Sequence, residues 1–174
     1  MITNITILAL NKSFRKTISK QLAKKLEMFY IDTSDIIKFD MEAYNNVMSV
    51  NGIDFFSKLE DDAFNKVCGF ENTIITTDFK LLNQGSNVKL LKASSLLIYL
   101  NLDYEFYKEK LIEERPRSNI YEESLNLMVF NERSQILSDY SDITINISHK
   151  NENKILNLII KEIQKYYNKI YKKL

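Results

Sequence analysis

The chain has 174 residues, 45% of them hydrophobic and 27% charged, and its 24 lysines and arginines against 23 aspartates and glutamates leave a formal net charge of +1. This composition is that of one globular domain spanning 1–174 with one sizeable core; it excludes a disordered or polyanion-binding chain, and no apolar run is long enough to cross a bilayer. A single cysteine, Cys68, and a single histidine, His149, leave no internal disulfide, no zinc site and no obvious nucleophile–base pair.

Residues 4–10 read as a buried first strand, residues 11–14 as a turn, and residues 15–27 as a helix with Ile18, Leu22, Ala23 and Leu26 on one face. A second strand, Phe29-Tyr30-Ile31-Asp32, follows directly and ends in a carboxylate. Strand, short loop, helix and acid-terminated strand is the layout of a nucleotide-binding βαβ unit, in which a glycine-rich loop wraps phosphate before the helix starts. Here the loop from Ala9 to Thr17 contains no glycine; the three glycines are Gly52, Gly69 and Gly85.

Further along, residues 73–76 and 96–100 are short apolar runs suited to parallel strands buried on both faces, and residues 143–147 make an edge strand. Helical stretches lie between them at about 53–67, 103–114 and 122–138, with Cys68 expected as a small buried residue at the end of the first. The predicted class is therefore α/β: a three-layer α/β/α sandwich around a five-stranded parallel sheet with right-handed crossovers. In such sheets ligands gather at the carboxyl ends of the strands, here loop 10–16, Asp32 to Asp35, Thr77 to Lys80, and the segment after Leu100. A small molecule or anion is the expected ligand. Lys12, Arg15 and Lys16 at a helix start would attract an anion, or else form a solvent-exposed patch.

The terminal helix of residues 151–173 has Leu156, Ile159, Ile160, Ile163, Tyr167 and Ile170 at core-facing spacing, and His149 just before it reads as a surface residue. Its Lys161, Lys165, Lys169, Lys172 and Lys173 complement the negative helix end. With Tyr166, Tyr167 and Tyr171 they would also offer a surface to a protein partner; nucleic acid and membrane are not expected partners. Lys12, Arg15, Lys16 and Lys20 near the N-terminus follow no apolar signal-peptide core, which together with the lone cysteine suggests the cytoplasm.

Over nearly its whole length the chain resembles the shikimate kinase family of small P-loop kinases. The resemblance rests on the opening strand, loop and helix at residues 4–26, on a family "GE..FR..E" helix matched by Gly52-Ile53-Asp54-Phe55-Phe56-Ser57-Lys58-Leu59-Glu60, on Arg115-Pro116, and on Glu132-Arg133 through Asp142-Ile143-Thr144-Ile145. It implies a nucleotide core, a substrate-binding region at about 33–60 and a lid at about 112–124. The implied activity is transfer of the ATP γ-phosphate to a hydroxyl of shikimate, with ATP and Mg2+ as cofactors, in aromatic amino-acid synthesis.

Four positions keep the residue the resemblance asks for. Thr17 would supply a hydroxyl and Asp32 a carboxylate toward the metal, Arg115 would touch nucleotide phosphates from the lid, and Arg133 would hold the substrate carboxylate. Elsewhere Ala9, Lys12 and Phe14 occupy loop glycines, Arg15 the phosphate-binding lysine, and Lys16 the magnesium-binding serine. Lys12, Ser13, Arg15, Lys16 and Thr17 would line the nucleotide site. Ser34 stands for the aspartate that orients the reacting hydroxyl, with Asp35 adjacent; Ser57 stands for a carboxylate-binding arginine; Asp78, Phe79 and Lys80 stand for a triple glycine, and Leu137 for a tyrosine. Arg15, Asp35 and Arg115 are thus the candidate catalytic groups, and Ser34, Ser57, Asp78 and Arg133 the candidate substrate contacts. A one-residue slip would instead make Lys16-Thr17 the lysine–hydroxyl pair.

A phosphate cradle needs successive backbone N–H groups pointing inward, in conformations that only glycine adopts cheaply. Arginine is planar and longer than lysine, so its charge cannot sit in the same place. Three readings follow: a shikimate-kinase-like protein with a degenerate phosphate loop, impaired or inactive and serving as a binding or regulatory module; an active kinase for shikimate or a related small hydroxy acid; and an interaction protein using its last helix.

Overall fold

The computed structural model describes residues 3–44, 53–82, 85–114 and 127–172. Five strands, β1 (Asn4–Leu8), β2 (Phe29–Asp32), β3 (Thr73–Thr76), β4 (Ser95–Asn101) and β5 (Ile143–Asn146), form one sheet in the order β2-β3-β1-β4-β5. Every neighbouring pair is parallel. The helices are α1 (Lys12–Leu26), α2 (Thr33–Tyr44), α3 (Ile53–Cys68), α4 (Phe79–Leu82), α5 (Gly85–Ser94), α6 (Tyr104–Glu114), α7 (Leu127–Tyr140) and α8 (Glu152–Tyr171).

Strand side chains alternate between two cores, as the pleat requires. Ile5, Ile7, Ile74, Leu96, Ile98 and Leu100 point into a core closed by Ile18 and Leu22 of α1 and by Ile155 and Ile159 of α8. Leu8, Ile75, Leu97 and Tyr99 point the other way, against Phe64 and Val67 of α3 and Leu82, Val88 and Leu91 of α4 and α5. The three-layer α/β/α expectation holds. Connections leaving β1 and β3, which are adjacent in the sheet, depart to opposite faces, and such a switch point opens a crevice at the strand carboxyl ends.

Several local expectations are corrected. Helix α1 begins at Lys12, not residue 15, because Asn11 caps it: its Oδ1 accepts the Phe14 N–H at 2.8 Å and its backbone oxygen accepts the Arg15 N–H at 3.0 Å. Helices α2, α4 and α5 add to those the periodicity predicts; α4 is a single turn and α5 opens on a polar stretch, so neither gives a helical period in the sequence. Ile170 is 40% exposed and does not join the core, since α8 runs on past the sheet it covers. Cys68 is half-buried, and burial pushes its thiol pKa up.

Candidate functional site

At the β1/β3 crevice the chain brings opposite charges together across 63 residues. Arg15, 2% exposed, donates from Nη2 to Asp78 Oδ1 at 2.5 Å and from Nη1 to the Ala9 carbonyl at 3.1 Å. Lys12 Nζ and Ser34 Oγ both donate to Asp78 Oδ2, at 2.9 and 2.8 Å. Burial alone would raise the Asp78 pKa, but the bonds from Lys12, Arg15 and Ser34 and the Arg15 charge overcome it and hold the carboxyl at about 2. Arg15 Nε is buried without a hydrogen-bond partner.

One helical step on, Lys16 lies between Asp32, at 3.3 Å, and Asp35, at 3.0 Å. Desolvation lowers the Lys16 pKa, but the two carboxylates outweigh it and the net shift is upward. Asp32 is fully enclosed: Oδ1 accepts the Ser34 N–H and Oδ2 accepts Thr76 Oγ1 at 2.6 Å. Lys12, Arg15 and Lys16 are therefore each matched by a carboxylate of this chain.

The other side of the first turns of α1 borders an open groove of about 720 Å³, lined by Ser13, Phe14, Thr17, Phe106, Lys110, His149, Lys150, Asn151 and Glu152. All of these follow β1, β4 or β5, so the groove sits at the carboxyl end of the sheet, and its size suits a small organic ligand. The Phe106 ring lies 5.1 Å from the His149 ring, with Lys110 Nζ 5.5 Å from its own centroid. His149, in a left-handed backbone conformation with φ of 56°, pairs with Asp103 at 3.3 Å. Its side chain is 70% exposed, as a surface residue should be, yet it forms part of the groove.

The family model described as shikimate kinase matches residues 14–164. The chain belongs to the shikimate kinase family. A curated shikimate kinase of Dehalococcoides mccartyi is 23% identical over 168 residues, covering 95% of this chain and 96% of that one. One of Rippkaea orientalis is 26% identical over 163 residues, covering 92% and 85%. Among solved structures, shikimate kinase from Bacteroides thetaiotaomicron superposes with a TM-score of 0.73 at 15% identity, covering 93% of this chain and 98% of that one. Shikimate kinase from Acinetobacter baumannii in complex with shikimate gives 0.72 at 18% identity, covering 95% of each chain. At these identities the structural likeness speaks for the fold.

Set against the shikimate kinase expectations, the site residues divide. Lys12, Arg15, Lys16, Asp32, Ser34, Asp35 and Asp78 come together in the two ion-paired groups, while Ser13 and Thr17 line the groove. Thr17 is exposed in the second turn of α1 and is not its cap, because Asn11 holds that place. Arg133 lies on α7 with its guanidinium 5.5 Å from the Phe79 ring, beside the Asp78 turn. Ser57 is half-buried on α3, and neither ion group nor the groove includes it. Arg115 and most of the 112–124 lid lie outside the described residues.

The residues assigned to magnesium are not brought together: Thr17 lines the groove, whereas Asp32 lies outside it with Lys16 Nζ at 3.3 Å, and among the described residues no cluster of three or more histidine, cysteine, aspartate or glutamate side chains suited to a metal occurs. Nor, among the described residues, is any helix long and apolar enough to cross a membrane. Sequence reading missed Phe106, Lys110 and the groove-side position of His149. Aromatic and basic residues on the helix after a predicted strand were the available signal.

Proposed function

We propose that this shikimate kinase family protein does not carry out ordinary ATP-dependent phosphoryl transfer and acts as a binding or regulatory module for a small ligand at the carboxyl end of its sheet. The observation that carries this reading is the β1–α1 connection. Only Ala9, Leu10 and Asn11 separate strand from helix, the Asn11 side chain consumes a first-turn N–H, and among the described residues the left-handed ones are Glu27, Asn72 and His149, none of them in this turn. A nest of inward N–H groups has no backbone to form on. Nor are Thr17 and Asp32, the residues assigned to magnesium, brought together.

A second reading draws on the relatives, which are named shikimate kinases, and on the groove, which is large enough for a nucleoside; it keeps ATP and Mg2+ as cofactors and Asp35 as the group near the reacting hydroxyl. Calorimetric titration with ATP–magnesium, with and without shikimate, followed by a coupled ADP-release assay on the same sample decides between them. The expected result is no shikimate-dependent ADP release. Saturable binding with turnover would overturn the proposal.

A further inference from the structure

The net charge of +1 averages over an uneven surface. Helices α1 and α8 pack side by side on one face of the sheet and hold ten lysines and arginines against two glutamates, so the remaining residues carry a net −7. Lys12, Arg15 and Lys16 at the start of α1 are paired with carboxylates, but the cations farther along are not. In α8, spacings of 7, 4, 4 and 3 residues align Lys154, Lys161, Lys165, Lys169 and Lys172 in one exposed row about 27 Å long, on the side away from the core-facing Ile155, Ile159 and Ile163. Asn157, in the same row, accepts Lys25 Nζ at 2.7 Å and so brings the end of α1, with exposed Lys24 and Lys25, alongside. Lys165 pairs with Glu162 at 2.5 Å, and the other glutamate of α8, Glu152, accepts Gln21 Nε2. Among the described residues, Lys24, Lys154, Lys161, Lys169 and Lys172 have no carboxylate partner. Like charges four residues apart on a helix oppose one another, and the helix dipole accounts only for Lys169 and Lys172; Lys154 stands in the first turn, where a cation is unfavourable. The chain supplies no anion that would offset this repulsion.

We infer that the lysine row of α8, with the adjoining end of α1, is a surface for the phosphate backbone of a nucleic acid, bound without regard to base sequence. The row repeats a charge about every 6 Å along a straight line, which a regular polyanion with a phosphate about every 3.4 Å of each strand can match. The other exposed residues on this side, Asn157, Gln164 and Asn168, are amides of the kind that hydrogen-bond to phosphate oxygens. Among the described side chains, none exposed on this side is apolar, aromatic or an arginine, so the surface lacks both the anchors of a protein interface and the forked donor that reads guanine. Ile170, though exposed, continues the core-facing line of the helix. The row leads away from the groove at the start of α8, so the inference goes beyond the small-ligand reading and does not depend on it.

The test is fluorescence titration of the full chain with two short DNA duplexes of equal length and unrelated sequence, over a series of sodium chloride concentrations. Both duplexes are expected to bind with the same affinity, its logarithm falling against that of the salt concentration with a slope of roughly −3 to −4, as about four neutralised phosphates require. Lys161→Glu combined with Lys169→Glu is expected to weaken binding at least about tenfold and to flatten the slope by about 2. Lys89→Glu combined with Lys92→Glu, exposed on α5 across the sheet, makes the same change in net charge and is expected to move the affinity by less than about twofold, because salt screens charges so far apart. No binding at low salt, an equal loss in the two double variants, or about tenfold preference for one duplex overturns the inference. Tighter binding of poly-L-glutamate, or of phosphatidylserine vesicles, than of the duplexes overturns it too and assigns the surface to an acidic protein or to a membrane. Should the α8 variant not fold, Lys161→Gln with Lys169→Gln, set against Lys89→Gln with Lys92→Gln, carries the same comparison.

Discussion

Strand β1 and the start of the helix that follows it show two ways of holding a chain together, with Leu8 and Arg15 only seven residues apart. Ile5, Ile7 and Leu8 are enclosed by apolar neighbours on both faces of the sheet, whereas beyond Leu10 the chain buries an arginine. Apolar burial is non-directional and accepts any side chains of suitable volume, so the sheet of this family can persist at about one residue in four identical to its relatives. A buried guanidinium is directional and needs a particular partner in place. The core can therefore drift while the fold stays, but each charge at the rim needs its partner in place: Arg15 with Asp78, Lys16 with Asp32 and Asp35.

The largest effect should come from the core. Leu97→Ala, at a fully buried position, is expected to lose about 2–5 kcal/mol in urea unfolding. Next, Arg15→Met should cost about 2 kcal/mol, less than the roughly 3–5 of a wholly buried broken pair because Asp78 keeps Lys12 and some water. Adding Asp78→Asn to it should recover part of that loss, with a coupling of at least about 0.5 kcal/mol. Strict additivity would dissolve the distinction between rim and core.

Acid gives a smaller, related effect. The Asp78 carboxyl sits at about 2 when folded against an ordinary 3.8, so its contribution is complete above the unfolded value and disappears as pH falls through the folded one. The stability gap between wild type and Asp78→Asn should shrink by up to about 2 kcal/mol between about pH 4 and pH 2. A constant gap would show that the ion pair adds nothing. Asn11→Ala should remove about 1 kcal/mol through the lost cap of α1. Asp35→Asn, whose exposed carboxylate shares Lys16 with Asp32, should change unfolding by less than about 0.5 kcal/mol.

By itself the sequence determined the α/β class, the five strands, the core face of α1 through Ile18, Leu22 and Ala23, and the absence of glycine from the β1–α1 turn, because each of these is written in local spacing or residue type. It also contained Asn11, a preferred helix cap, although a layout that leads one to expect a longer loop placed the helix start three residues late. Only the tertiary structure decided what the basic residues after that turn, at the start of α1, do. Pairing of Ile7 with Thr76 across adjacent strands carries the β3 turn up beside α1, so Asp78 meets Arg15 from 63 positions away. The groove of Phe106, Lys110 and His149 likewise exists because the strand order sets β1, β4 and β5 side by side, joining three segments whose own patterns say nothing of one another.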